Sequence, residues 1–280
     1  MHSEKIAKLG ILATALIWSS GGLAVKITDC PADALTGWRC LFCLILFWFF
    51  YRKEKLLTYT KAQWFGAIAY FLMAYFYIAA TQMTTAANAI LLQYTAPIYV
   101  ALLSVWFLRE KVTMKDWTVI VVVFCGMVLF FVDKAGIGNM LGNAFGVLSG
   151  LSFAVFIVCT RMQKEAHPAG SIFLGNVIAL VVCLPGMIET PVTQDAVLGG
   201  MYLGLIYGGL SYIIYSASIR YVSALSAILI ATIEPVLNPV WVFFMIGERP
   251  SLFAVLGGTV VVGAILIGNL WDLKKQSSEK

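Results

Sequence analysis

The chain has 280 residues, of which 61% are hydrophobic and only 12% charged, with a net charge of +5 and a mean hydropathy of +0.89. So few charges cannot coat a soluble globule, which excludes a soluble enzyme, a nucleic-acid-binding domain and a disordered tail together. The composition is that of an all-α integral membrane protein.

Met1 to Lys8 carries two lysines and runs into an apolar stretch with no small-residue cleavage site after it, so it reads as the start of a membrane helix rather than a leader. A crossing takes about 20 apolar residues. The sequence supplies ten such stretches, approximately at 6–27, 32–51, 62–82, 84–108, 114–132, 142–162, 168–188, 197–219, 222–246 and 251–271. Barrel-type alternation is absent, so these are helices, which satisfy their own backbone in lipid. With the N-terminus in the cytoplasm, fifteen of the nineteen basic residues fall inside. Only Lys26, Lys134 and Arg249 fall outside, and Arg39 lies within a span. That asymmetry predicts ten helices with both termini cytoplasmic in a plasma (inner) membrane.

In chain order, the first stretch carries Trp18-Ser19-Ser20-Gly21-Gly22 at its middle. Trp18 and Ser19 sit deeper than an interfacial belt would place them, so they are expected to line a cavity. Arg39 lies about 10 Å into the second stretch at the helical rise. Its fork suits a carboxylate; snorkelling or a structural ion pair is the alternative. Tyr70, Ala74, Tyr77 and Thr81 share one face of the third stretch, and each buried hydroxyl needs a partner. Polar substrate or cavity water would supply it; ordinary helix packing competes. The fourth stretch holds Asn88, Gln93 and Pro97, and Pro97 frees the Gln93 carbonyl.

Gly142, Gly146 and Gly150 form a small-residue ridge on the sixth stretch, and Gly200, Gly204 and Gly208 another on the eighth, each predicting close helix approach. The eighth also repeats the tyrosine pattern as Tyr207, Ser211, Tyr215 and Ser218. Glu234 is about 18 Å from either end of the ninth stretch, near the bilayer centre. A charge there costs about 3 kcal/mol even on the mild insertion scale. Pro235 and Pro239 free the Ala231 and Pro235 carbonyls, with Asn238 and Trp241 on the same face. A kinked helix with freed carbonyls beside a carboxylate suits an ammonium group or a proton, against the alternative of a structural ion pair. Glu110 and Glu248 end their helices beside Lys111 and Arg249, as local ion pairs or loop anchors. His2 and His167 lie far apart in loops, and the six cysteines mostly sit inside apolar runs, so neither metal, cofactor nor disulfide framework is predicted.

Tyr77 to Lys111 aligns with Tyr215 to Arg249 at a constant offset, pairing Tyr77 with Tyr215, Pro97 with Pro235 and Glu110 with Glu248. The chain therefore divides into five-helix units at 1–136 and 137–271, followed by a short basic tail at 272–280. Five is odd, so the second unit enters the membrane inverted, with the substrate site near the midplane between the halves.

These repeats, the Trp18 to Gly22 segment, Arg39, Pro97 with Glu110, and Glu234-Pro235 with Glu248 together resemble the EamA branch of the drug/metabolite transporter superfamily, over essentially the whole chain. The resemblance implies a central cavity lined mainly by helices one, three, four, six, eight and nine, and transport of small metabolites, often export of amino acids. No arginine stands near Gly175 or Asn176, where a counterpart of Arg39 would fall, so the cavity is expected to be asymmetric in charge.

The expected function is export of an amino acid or related zwitterion by alternating access. Trp18, Ser19, Arg39, Tyr77, Gln93, Ser211, Tyr215, Glu234 and Asn238 are the substrate-binding set, Glu234 is the proton-coupling group, and Pro97, Pro235 and Pro239 are the helix breaks. No ATP-binding glycine loop is present. The expected partners are a small-molecule substrate, the bilayer and protons, with a homodimer left open and nucleic acid excluded. A broad exporter of lipophilic cations is the alternative. An intramembrane enzyme is disfavoured, because one deep carboxylate and two loop histidines build neither a nucleophile–base pair nor a metal cluster.

Overall fold

The computed structural model describes residues 2–84, 86–132, 139–246 and 251–278, and no strand occurs among them. The side chains of Lys26, Asn238 and Pro239, and residues Lys134, Glu248 and Arg249, lie outside the described residues.

The first half contains α1 (His2–Trp18), α2 (Gly21–Ile27), α3 (Ala32–Tyr51), α4 (Lys61–Met83), α5 (Ala86–Gln93), α6 (Ala96–Leu103) with a π-helical turn at Ser104–Leu108, and α7 (Met114–Phe131). The second contains α8 (Met140–Met162), α9 (Pro168–Glu189), α10 (Gln194–Tyr202), a π-helical stretch at Leu203–Leu210, α11 (Ser211–Ser218), α12 (Ala224–Ala231), α13 (Ile233–Ile246) and α14 (Leu252–Ser278). Seven helical spans among the described residues are long and apolar enough to cross a membrane, and Ala224–Leu237 and Val255–Gly268 are shorter apolar helices.

Polar caps set the helix starts. Thr60, Thr113, Asn139, Thr193 and Ser223 each accept a first-turn N–H, and Thr113 and Asp116 close a reciprocal capping box. The internal breaks have local causes too. Between α1 and α2, the Ser19 and Ser20 hydroxyls turn back onto the Leu16 and Ile17 carbonyls at 2.6 and 2.7 Å, and two glycines follow. Pro97 sits in the first turn of α6, and Pro235 in the first turn of α13.

Contacts between the halves come in pairs related by exchanging them. The α4–α8 packing matches α1–α11, α5–α8 matches α1–α12, and α4–α9 matches α3 against the Leu203–Leu210 stretch. The α3–α9 and α7–α14 pairs map onto themselves. Two copies of one unit facing each other produce this pattern. Both glycine ridges lie at these contacts. A Cβ on Gly150 would stand 2.6 Å from the Gln93 carbonyl oxygen, the group that Pro97 frees. A Cβ on Gly204 would stand 2.5 Å from the Arg39 carbonyl oxygen. One ridge therefore seats the α5–α6 break, and the other seats the turn of α3 that carries Arg39.

Glu110 finds its partner across the helices rather than in Lys111. Its carboxylate accepts from Arg161 Nε at 2.9 Å and from the Ala224 N–H at 3.1 Å. Arg161 Nη1 also donates to the Ile219 and Arg220 carbonyls at 3.1 and 2.7 Å. One half-buried ion pair thus ties the ends of the Ser104–Leu108 turn and α8 to the start of α12. Glu110→Gln should lower stability by about 1–2 kcal/mol, more than an exposed pair is worth, because Arg161 is left in place without its carboxylate. Detergent melting curves in a double-mutant cycle with Arg161→Gln check this; additive effects would show that the pair contributes nothing.

Candidate functional site

The breaks and close approaches converge on a central cavity of about 30 Å³. That exceeds the about 10–15 Å³ a single water needs, so its polar walls can be wetted. Arg39 from α3 and Glu234 from α13 both line it, and so do Trp18, Tyr77, Gln93 and Tyr207. Phe153 of α8 and Tyr212 of α11 complete the aromatic wall.

Arg39 is 2% exposed and Glu234 4% exposed, yet they form no ion pair with each other. Each is held by a tyrosine instead. Arg39 Nη2 donates to Tyr70 Oη at 2.6 Å, with the guanidinium carbon 5.5 Å from that ring's centroid. Arg39 Nε is buried without a hydrogen-bond partner. The Tyr94 hydroxyl lies 2.5 Å from Glu234 Oε2 and 3.0 Å from the Ala231 carbonyl oxygen. Pro235 has no N–H to offer that carbonyl, and Tyr94 stands in for it.

Trp18 Nε1 donates to Ser211 Oγ at 2.8 Å, and Ser211 Oγ donates in turn to the Tyr207 carbonyl. The Trp18 ring packs against Phe153, Tyr212 and Tyr215. Ser19 is buried beside the cavity wall and accepts from Trp241 Nε1 at 2.7 Å, joining the first break to α13. Gln93 Nε2 donates to Ser149 Oγ at 2.8 Å, and Ser149 donates to the Met73 carbonyl at 2.9 Å.

Of the nine residues expected to bind substrate, five therefore meet at the cavity: Trp18, Arg39, Tyr77, Gln93 and Glu234. Ser211 and Tyr215 stand behind its wall. The Tyr215 hydroxyl is 3.0 Å from Thr160 Oγ1, and its ring stacks on Phe156 with centroids 5.5 Å apart. Ser19 is likewise outside the lining, and the Asn238 side chain lies outside the described residues. Sequence reasoning did not single out Tyr94. The available signal was its place three residues before Pro97, matching Thr232 before Pro235 in the repeat.

Residues 5–132 and 140–270 each match the EamA-like transporter family. An uncharacterized transporter of Archaeoglobus fulgidus is 30% identical over 202 residues, 72% of this chain and 73% of the relative. An S-adenosylmethionine uptake transporter of Rickettsia bellii is 24% identical over 197 residues, covering 69% of this chain and 66% of the relative. A solved crystal structure superposes with a TM-score of 0.80 over 95% of this chain and 98% of that one, at 19% identity, which speaks to the fold alone.

Proposed function

The chain belongs to the EamA-like transporter family and is a membrane transporter, and from that premise we propose that it carries a small zwitterionic metabolite across the inner membrane by alternating access. Ten crossings in two inverted five-helix units, with both termini cytoplasmic, fit the basic-residue asymmetry and the exchange-related contacts between the halves.

The observation that carries this reading is the pair of opposite charges lining one cavity without neutralising each other. Arg39 brings a positive charge with one unsatisfied N–H to the cavity wall, where a carboxylate would balance it. Glu234 offers an acceptor to an ammonium group or a proton. A ligand with both a carboxylate and an amine would neutralise both walls at once, and the tyrosines and Trp18 would cover its apolar part. Export of an amino acid, with Glu234 coupling movement to protons, is the proposed direction and drive. The ligand in the name of the Rickettsia relative is itself an amino-acid derivative with a cationic sulfur and an aromatic base, so it belongs among the probes.

Melting of the purified protein against amino acids, S-adenosylmethionine and lipophilic cations tests the proposal, followed by proteoliposome flux of the binders with and without a pH gradient. A zwitterion present at a hundredfold excess over its Kd should stabilise the fold by about 2.7 kcal/mol. Response to lipophilic cations alone would transfer the assignment to a drug exporter. Flux of the binder that is undiminished in Glu234→Gln would remove Glu234 from the mechanism.

A further inference from the structure

The Tyr94 hydroxyl has one proton and two acceptors within reach: Glu234 Oε2 at 2.5 Å and the Ala231 carbonyl oxygen at 3.0 Å. Those acceptors belong to different helices, since α12 ends at Ala231 and Glu234 lies in the first turn of α13. Only Thr232 separates the two helices. Tyr94 itself occupies the turn between α5 and α6, the equivalent break in the other repeat. Its ring is fixed edge-on to Phe153, with centroids 6.4 Å apart, so the hydroxyl cannot leave the junction without disturbing the cavity wall.

Counting protons gives two states. When Glu234 is ionised, the Tyr94 O–H donates to the carboxylate and the Ala231 carbonyl is left without a donor. When Glu234 is protonated, its own O–H donates to Tyr94 Oη, which frees the tyrosine proton for Ala231. The neutral state then has two hydrogen bonds stapling α12 to α13, and the ionised state has one, confined to α13.

We propose that Tyr94 is a positioning residue that couples the occupancy of Glu234 to the α12–α13 break, by moving its single hydroxyl proton between the carboxylate and the Ala231 carbonyl. This rests on Glu234 being the proton or ammonium site. Protonation of Glu234 closes the staple across the break, and ionisation opens it. The α12–α13 segment can thereby bend differently in the two states, which is what a carrier requires of the group that senses its cargo.

The other ionisable groups facing Glu234 are Tyr77 of α4, Tyr207 of the π-helical stretch and Tyr212 of α11, with Arg39 of α3 also on the cavity wall. From α1, the cavity-lining residue is Trp18. Helix α12 contains no ionisable residue, and α14 has none before Asp272. In α2 the ionisable residue is Lys26, whose side chain lies outside the described residues.

Backbone hydrogen exchange of the full-length protein, followed at Thr232, Ile233, Glu234, Val236 and Leu237 over a pH series, reads the staple directly with protons as the probe. Wild-type protein should switch between two protection levels as Glu234 titrates. Tyr94→Phe keeps the ring but should hold the segment at the less protected level at every pH, exchanging about tenfold faster, the size of one lost hydrogen bond. Glu234→Gln should hold it at the more protected level, because the glutamine amide donates to Tyr94 Oη and leaves the tyrosine proton on Ala231. That arm stands even if the phenylalanine variant does not fold. Wild-type exchange that shows no pH-dependent step here would overturn the assignment of Glu234 itself. A step that persists unchanged in Tyr94→Phe would overturn the role of Tyr94 alone.

Discussion

Arg39→Met should cut flux of a carboxylate-bearing substrate by about a hundredfold or more, while leaving the protein at least as stable as wild type. The two effects have opposite signs for one reason. Arg39 is buried with the Tyr70 hydroxyl as its hydrogen-bond partner, has no ion pair among the described residues, and its Nε–H is unsatisfied. An ion held this way costs folding energy, and replacement of buried ions by apolar side chains of similar volume is often neutral or stabilising by about 1–4 kcal/mol. Against that gain stands the Tyr70 hydroxyl, which loses a donor at a cost of about 1 kcal/mol. Binding changes the other way. Removing one partner of a buried charge-assisted contact costs about 2–5 kcal/mol, which the hundredfold loss reflects. Arg39→Lys keeps the charge but not the fork, so its flux should fall between the two. A methionine variant that melts well below wild type and transports normally would make Arg39 a structural cation.

The helix positions were legible because apolar runs of crossing length are set off by short polar breaks. Thr60, Thr113 and Asn139 stand at helix starts in the sequence, and they cap those starts in the structure. Glu234 was legible for the same reason: a carboxylate inside an apolar run demands an account. The partners of the buried charges were not. Whether Arg39 meets Glu234 depends on how α3 and α13 are held apart across the cavity, and one-dimensional spacing carries no trace of that. The π-helical stretch was also hidden, since Leu-Gly-Leu-Ile-Tyr-Gly-Gly-Leu reads as ordinary membrane helix. Tyr207 lines the cavity, and Tyr215 meets Thr160 behind the wall. Tyr94 escaped notice because it sits at a turn, where helical periodicity says nothing about direction.

The π-helical stretch also places the largest expected stability effect. Gly204→Ala adds one carbon, which would stand 2.5 Å from both the Arg39 carbonyl oxygen and Phe42 Cβ, and 3.1 Å from the Cys43 N. Two of those three neighbours are backbone of α3, so no rotamer change relieves the contact, and either α3 or the Leu203–Leu210 stretch must move. Overpacking of this kind costs about 1–3 kcal/mol, and more where rigid atoms are met; about 3 kcal/mol or more is expected here. Gly263→Ala is the matched control. Its added carbon meets nothing within 4 Å, and alanine in a helix interior gains about 0.5–1 kcal/mol over glycine. Melting in the same detergent should therefore separate the two variants in opposite directions from wild type. The same displacement has a functional side. Helix α3 carries Arg39 to the cavity, and the neighbouring Gly208 leaves room for its guanidinium, since a Cβ there would stand 3.3 Å from Arg39 Nε. Ligand-induced stabilisation should consequently fall in Gly204→Ala even at temperatures where the variant remains folded. Equal melting temperatures for the two glycine variants would show that the small-residue ridge does not hold α3 in place, and Arg39 would then need another explanation for its depth.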